Sequence, residues 1–422
     1  MDSSFFNEKI KVLIIEPIGM GGELLLNATC ALGYHSIVVT TENVYKSTLI
    51  KNTHLIDEVI FADFSDTKKA IDFLVKEVAD LGISGVVVAW EFLTDVAAEI
   101  AEKLNVCGPD ASLSKARRNK HTMYRVLAKE TCPLPELQAV LTTDSNFTHI
   151  PYEELDYPLV VKPAENAASF GVSVVNSCEE FSQAFKDASQ WTHEYPHGIP
   201  FSNEILVQEY IPGQEFSVEA LSISGRYFPW GVTMKFTTSG KARAETGHIF
   251  PAPISDILRD KILGIAEKAA LALGITNGIS HTEIKLDKNG EPRVIESCSR
   301  PAGDYIPRLV KLSTGEDPLE IYVKQAVGEL HTDFSPAKPY CFSAIQFIRP
   351  NIDGKFVSIN IPSVLSSAKI VDSRITVVEN SHVQPGTTNI ERLGWTIISA
   401  DTADAIVGAM EELENSTRIF IE

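Results

Sequence analysis

Asn289-Gly290 separates two strand-like runs, residues 281–286 and 291–296. Asn-Gly in that setting is the strongest short-range signal for a β-hairpin, because both central residues of a type I′ turn need positive φ. With these two residues as the loop, Lys288 pairs with Glu291, and counting outward sets Glu283 directly opposite Glu296. Opposed residues on one face carry Cβ atoms roughly 4.5–5.5 Å apart, where like charges repel. The spacing therefore predicts a cation between the two carboxylates. Magnesium suits such a pair, above all where it also takes oxygens from substrate phosphates. A solvated hairpin with water-screened charges fits these residues about as well. His281 falls opposite Cys298 on the same face, either supporting the carboxylates from behind or packing as a structural histidine.

The net charge of −19 argues against a nucleic-acid partner, since a phosphate-backbone binder needs a basic surface. A small anionic substrate stays open if a few lysines and arginines are concentrated at its site. Six cysteines, none in a CxxC pair, disfavour both a disulfide framework and structural zinc. The start, Met1-Asp2-Ser3-Ser4-Phe5-Phe6, lacks the basic and apolar regions of a signal peptide, and no apolar run approaches a membrane span. A soluble cytoplasmic protein with no membrane partner is the expectation.

Val12-Leu13-Ile14-Ile15 is an apolar run suited to a buried parallel strand, followed by Gly19-Met20-Gly21-Gly22 and a helical stretch to about Leu32. Residues 37–39 and 86–88 repeat the strand signature, and residues 94–104 carry Ala97, Ile100, Ala101 and Leu104 on one stripe. This is a doubly wound α/β unit. Its glycine turn does not fit the dinucleotide spacing GxGxxG and reads as a tight turn lining a substrate cleft. Gly108-Pro109 closes the unit, and a helix is expected from about Ser112 to Lys129. Residues 157–328 alternate less regularly, as an α+β arrangement does, with a helix from about Asp256 to Leu273. Residues 331–339 read as a linker. Strands over 342–347 and 374–378 and a helix near 403–414 complete the chain.

Leu159-Val160-Val161-Lys162-Pro163 ends an apolar strand on a lysine, before the small-residue loop 164–172. Such a loop lets backbone N–H groups approach phosphate oxygens, though an ordinary hairpin with a surface lysine is the better bet from this segment alone. Residues 206–218, Leu-Val-Gln-Glu-Tyr-Ile-Pro-Gly-Gln-Glu-Phe-Ser-Val, read as strand, Pro-Gly turn, strand: an edge for adenine near Glu209 to Ile211, or a plain hairpin. Arg300, just past the second glutamate, offers a fork for a carboxylate or a phosphoryl group. Arg243, Glu245 and His248 fall in a polar stretch, 237–248, that reads as a mobile loop. His248 taken alone reads as an ordinary surface histidine.

Together and in this order, these elements resemble the ATP-grasp superfamily of carboxylate–amine ligases, over essentially the whole chain. Within it the chain looks most like the L-amino-acid ligases that make dipeptides, of the bacilysin-synthetase type. The specific passage is His281-Thr282-Glu283-Ile284-Lys285-Leu286 through Ile295-Glu296-Ser297, then Arg300 and Ala302-Gly303. The resemblance implies an N-terminal α/β domain (1–110), an ATP-grasp core (111–335, small subdomain about 130–208, larger one about 209–335) and a small C-terminal domain (336–422). It implies that Lys120 and Lys162 contact ATP phosphates, that Ser169 belongs to the ATP site, that Glu209 and Ile211 border adenine and that Glu215 binds ribose. Glu283 and Glu296 would hold magnesium, with manganese able to substitute. Arg300 would stabilise an acyl-phosphate with His248 beside it, and Glu91 and Gly303 would meet the amino-acid substrate. Two departures stand out: Cys298 occupies a position where many relatives have asparagine, and the phosphate loop reads Asn166-Ala167-Ala168 where glycine and serine are common.

The activity this resemblance implies is ATP-dependent amide-bond formation through an acyl-phosphate. It also implies small amino-acid or carboxylate substrates, a role in dipeptide-antibiotic synthesis, and homodimerisation as a common habit. Rival readings are another ATP-grasp ligase or a carboxylase subunit, and an ATP-binding regulatory protein without catalysis. The absence of a Met-Lys-Met biotin acceptor weighs against a self-carboxylating chain.

Overall fold

The computed structural model describes residues 9–144, 152–238, 244–385 and 388–422; Arg243 lies outside them. Apolar runs covered on both faces make parallel strands. Four such strands form one sheet in the order Glu58–Phe61, His35–Thr40, Lys11–Ile15, Ile83–Val88. Alternation decides which side each residue feeds. Val12 and Ile14 pack with Leu25 and Leu26 of helix Gly19–Ala31 and with Leu319 and Val323 of helix Pro318–Ala326. Leu13 and Ile15 pack on the other face with Ile71 and Leu74 of helix Thr67–Glu77 and Val96 and Ile100 of helix Thr94–Lys103. The turn after the first strand is tight: a Cβ on Gly22 would lie 2.0 Å from the Pro17 carbonyl carbon, so only glycine fits.

A small antiparallel sheet follows, Leu137–Thr142, Glu204–Glu209, Leu159–Pro163 and Ser173–Val175 in spatial order, backed by helix Cys178–Ser189. The predicted helix from Ser112 to Lys129 is in two pieces, a 3₁₀ segment Ala111–Arg117 and an α-helix Lys120–Lys129. Asn119 causes the restart, its Oδ1 accepting from Thr122 N at 2.8 Å as an N-cap. Lys120 is thereby fixed at the first position of a helix.

The large sheet has eight strands in the order Pro292–Cys298, Gly278–Leu286, Glu215–Ile223, Arg226–Thr237, Glu245–Phe250, Phe342–Ile348, Gly394–Ala400, Lys369–Ile375, all antiparallel. Glu204–Glu209 and Glu215–Ile223 thus belong to different sheets, and the Pro-Gly segment between them is a crossing rather than a hairpin turn. Gly213 passes so close to the large sheet that a Cβ there would sit 2.3 Å from Leu286 O. Glu245 and His248, expected in a loop, lie on a buried strand whose edges pair on both sides. The strand expected over 374–378 runs instead from Lys369 to Ile375, pairing with Gly394–Ala400.

The carboxylate hairpin reaches the expected pairing by an unexpected path. Gly290 alone of the loop pair has positive φ (78°), so the turn is not type I′. Gly290 N bonds Asp287 O at 2.9 Å and Asp287 N bonds Glu291 O at 2.8 Å, a three-residue loop closed by a left-handed glycine. Asp287 draws the loop in, its Oδ1 accepting from the N–H groups of Asn289 and Glu291. The extra loop residue shifts the register by one, and Lys285 faces Arg293. A bulge between Ile284 and Glu283 shifts it back, and Glu283 faces Glu296. Two one-residue irregularities cancel.

A largely buried network ties the segment between helix Cys178–Ser189 and strand Glu204–Glu209 to the parallel sheet. His197 Nε2 lies 2.8 Å from Glu16 Oε2 and its Nδ1 3.0 Å from Glu194 Oε1, while Trp90 Nε1 donates to Glu194 Oε1 at 2.9 Å. Burial alone would lower the His197 pKa, but the two carboxylates outweigh it and raise it to about 9. The folded state therefore binds this proton more tightly than the unfolded chain, whose histidine titrates near 6.5. The stabilisation is full below about pH 6.5 and is lost as pH rises through about 9. The melting temperature should fall across that window, and His197→Gln should lower it at pH 6 while flattening the slope. An unchanged slope in the variant would contradict the assignment.

Candidate active site

The ends of the three sheets enclose a cavity of about 440 Å³. The sequence-predicted residues Glu91, Lys120, Lys162, Ser169, Glu209, Ile211, Glu215, Glu283, Glu296, Arg300 and Gly303 all line it. His248 does not. It is buried one layer behind, its Nε2 3.3 Å from Asp304 Oδ2 and its ring edge-on to Phe347. The structure thus sets His248 against Asp304, outside the lining that carries Arg300.

Each opposed carboxylate takes a lysine. Lys235 Nζ lies 2.6 Å from Glu283 Oε1, and Lys120 Nζ lies 2.9 Å from Glu296 Oε1. Lys235 also reaches Glu245 at 2.8 Å and Glu215 at 3.2 Å, so one ammonium serves three strands. Burial would raise the Glu283 carboxyl, but Lys235 and His281 hold it well below the usual range. Burial, Glu91 and Glu283 outweigh Lys120 at Glu296 and push it up. Behind Glu283, His281 bridges to Glu219, with Nδ1 3.0 Å from Glu219 Oε1 and Nε2 3.5 Å from Glu283 Oε1. Ser217 and Thr233 complete the bonds of the buried Glu219. This chain orients Glu283 and gives His281 the supporting position.

The donor set fits a hard divalent cation. Glu283 and Glu296 are opposed oxygen donors, and carboxylate oxygens of Glu215 and Glu245 lie within 4.8 Å of one from Glu283. Cys298 Sγ is 3.6 Å from Glu296 Oε1, but burial and Glu296 push its thiol well up. A neutral thiol is a poor ligand for magnesium, which selects oxygen.

At the other end, Pro135, Val160, Val174, Ile211 and Ile295 form an apolar slot beside Glu209 and Glu215. Glu209 is exposed, its Oε2 accepting from Glu136 N at 3.1 Å, whereas Ile211 is buried. Between slot and carboxylates lies the loop after Lys162. Ala168 and Ser169 both have positive φ (51° and 63°), a strained conformation of the kind that collects at functional sites. Lys120 Nζ anchors the loop through Asn166 O at 2.7 Å. Lys162 is buried and makes no ion pair among the described residues. Burial and the charge of Lys120 push its ammonium down to about 8. An anion binding at Lys162 favours the protonated form, so affinity for a phosphate-bearing ligand there should fall above pH 8, by about fivefold between pH 8 and 9. Lys162→Arg should flatten that limb because a guanidinium stays charged. A wild-type profile flat to pH 9.5 would contradict this.

Toward the parallel sheet, Arg300 donates through Nη2 and Nε to Glu91 Oε2 at 2.7 and 3.2 Å. Both bonds go to one oxygen, which leaves Glu91 Oε1 outside the pair. Burial would raise the Glu91 carboxyl, but Arg300 and Lys120 hold it down. Asp304 receives both terminal nitrogens of Arg392, at 2.7 and 2.8 Å. Lys235, Asp304, Arg392 and Asn389 carry no signal of their own in the sequence. Lys235 alternates with Thr233 on the face that carries Glu215 and Glu283, a pattern visible only once those strands are known to be neighbours.

The profile of the family described as ATP-grasp domain matches residues 155–308, and that of the ATP-grasp N-terminal domain matches residues 26–108. Among curated proteins, the alanine–anticapsin ligase of Bacillus subtilis is 26% identical over 296 residues, 66% of this chain and 62% of that protein. The chain thus matches about three-fifths of that relative's length. The dapdiamide A synthase of Enterobacter agglomerans is 26% identical over 347 residues, covering 79% of this chain and 76% of that one. Among solved structures, the L-amino acid ligase from Bacillus licheniformis superposes with a TM-score of 0.82 at 22% identity, over 98% of this chain and 99% of that one. Among the described residues no helix is long and apolar enough to cross a membrane.

Proposed function

The chain belongs to the ATP-grasp superfamily, and from that premise we propose that it is an ATP-dependent ligase joining an amino-acid carboxylate to an amine. The observation that carries this reading is a juxtaposition within one cavity: the opposed Glu283 and Glu296 at the phosphate loop, and the Glu91–Arg300 pair beside them. The name of one relative, alanine–anticapsin ligase, points the same way.

In this reading adenine enters the apolar slot, with Glu215 at the ribose, and Lys120, Lys162 and the loop through Ser169 hold the phosphates. Glu283 and Glu296 would hold magnesium, or manganese in its place, which when bound would supply neutralisation of phosphate charge. Glu91 takes the ammonium of the first amino acid and so orients its carboxylate. That carboxylate oxygen attacks the γ-phosphorus, the bond to the β-bridging oxygen breaks, and ADP leaves. The amine then attacks the acyl carbon, phosphate departs with the electron pair, and an amide remains. Arg300 faces charge that develops on the acyl oxygen, where a preorganised donor has its largest effect. No protein nucleophile is required, since phosphoryl transfer depends on positioning and charge neutralisation.

A matrix of amino-acid pairs with ATP, read by mass spectrometry and phosphate release, tests the reading. A ligase yields condensed products that require both partners. Bicarbonate-dependent ADP release would identify a carboxylase instead, and no release with any pair would leave a nucleotide-binding protein.

A further inference from the structure

The three glycines of Gly19-Met20-Gly21-Gly22 answer to different demands. Gly19 has positive φ (68°), and Gly22 leaves no room for a Cβ beside Pro17. Neither reason applies to Gly21. Its φ is not positive, and it lies inside helix Gly19–Ala31. A Cβ there would come within 4 Å of only two atoms, Ala302 O and Ala89 Cβ, both at 3.9 Å, which is ordinary van der Waals contact. Glycine inside a helix is destabilising relative to alanine, so the chain gives up stability at Gly21 without a backbone reason. Gly21, Ala89 and Ala302 all line the main cavity. What the missing side chain preserves is space in that cavity.

The space adjoins the Glu91–Arg300 pair. Ala89 stands two residues before Glu91, and Ala302 two after Arg300. Glu91 is only 8% exposed and lines the cavity; Arg300 donates twice to its Oε2, and Oε1 has no partner among the described residues. The rest of this wall is apolar or already paired. Ile18, Met20 and Ile306 are apolar. Trp90, also in the lining, commits its one polar side-chain atom to Glu194 at 2.9 Å. Asp304 has both oxygens on Arg392, at 2.7 and 2.8 Å. The Asn389 amide holds Glu245, with Oδ1 accepting from its N–H and Nδ2 donating to its Oε2, each at 2.9 Å. Beyond Glu91 and Arg300, no charge on this wall lacks a counter-charge of its own.

We propose that Gly21 is a specificity-determining residue, and that the acyl donor is an amino acid with a large, uncharged, apolar side chain of the leucine, methionine or phenylalanine kind. This rests on the ligase reading above and names the substrate class of the same site. With the donor's ammonium at Glu91 Oε1 and its carboxylate toward the phosphate loop, its side chain lies over Gly21, between Ala89 and Ala302. A charged side chain would lose its hydration there and find no partner. An apolar one takes Ile18, Met20 and the Trp90 ring out of water along with itself, an effect of roughly fourfold in affinity per buried methylene. Alanine would leave the same surface uncovered.

The test reads the acyl half of the reaction on the full-length protein. Hydroxylamine traps an acyl-phosphate as its hydroxamate whatever the natural amine, so ATP-dependent hydroxamate formation is measured with alanine, leucine, methionine, phenylalanine, lysine and glutamate. Wild type should favour at least one of the three large apolar donors over alanine by about tenfold or more in kcat/KM, and over lysine and glutamate by a larger factor. Gly21→Ala adds a Cβ without a clash and should not lower the melting temperature. It should nonetheless cut the ratio of the best large donor to alanine by about fivefold or more, as overpacking does. Gly21→Leu should invert that ratio. Loss of folded protein cannot produce this pattern, because it lowers the rate with every donor alike. A wild-type preference for alanine or for a charged donor, or a ratio unmoved by Gly21→Ala, would overturn the assignment. If wild type gives no hydroxamate with any amino acid, the ligase reading itself fails, a result distinct from those.

Discussion

Glu296→Ala should abolish amino-acid-dependent ADP release, a fall of at least about 100-fold in kcat, as loss of a metal-orienting or transition-state contact typically produces. The fold should survive, because the side chain is not part of the apolar core. Its removal frees Lys120, which keeps Asn166 O as a partner at 2.7 Å. Lys120 would also stay in the field of Glu91. Glu296→Gln preserves shape but not charge and should be nearly as inactive. Circular dichroism beside steady-state kinetics separates the two effects. Normal turnover in either variant would remove the metal assignment at Glu296.

Arg300→Ala should be comparably severe, for two coupled reasons. It deletes the donor proposed to face the acyl oxygen, and it strands Glu91. Glu91 is buried, and burial is the largest influence on its carboxyl; Arg300 is the first of the charges that hold it ionised. Without the guanidinium the carboxyl shifts toward its neutral form, which binds an ammonium poorly. Glu91→Ala alone should raise KM for one amino acid more than for ATP, and an equal effect on both would argue against substrate recognition there. Because each change already disables the pair, the double variant should fall well short of the summed single losses. Fully additive losses would mean that Glu91 and Arg300 act independently.

Much of the fold and site is legible in the sequence, though not always through the right local geometry. Uninterrupted apolar runs such as Val12-Leu13-Ile14-Ile15 specify the parallel sheet, since both its faces are covered. The Glu283–Glu296 pairing emerges correctly from a type I′ turn that the chain does not form. Asp287, by accepting two loop N–H groups, lengthens the turn by the one residue that a later bulge restores. Local turn chemistry cannot reveal a compensating bulge, because that bulge answers to the neighbouring strand. His248 resembles a loop residue because polar neighbours surround it in sequence, whereas pairing on both sides buries its strand. The Asp304–Arg392 ion pair spans 88 residues, and the His197 network spans 181 between its histidine and Glu16. Such contacts carry no local signature. They become visible only when topology brings the segments together.

The most direct test of the central claim traces an oxygen atom. Supply the acyl-donating amino acid with ¹⁸O in both carboxylate positions, run turnover with ATP and an amine donor, and weigh the released phosphate. Attack by the carboxylate on the γ-phosphorus places one labelled oxygen in each phosphate and leaves one in the amide. Unlabelled phosphate alongside a doubly labelled acid would contradict the account.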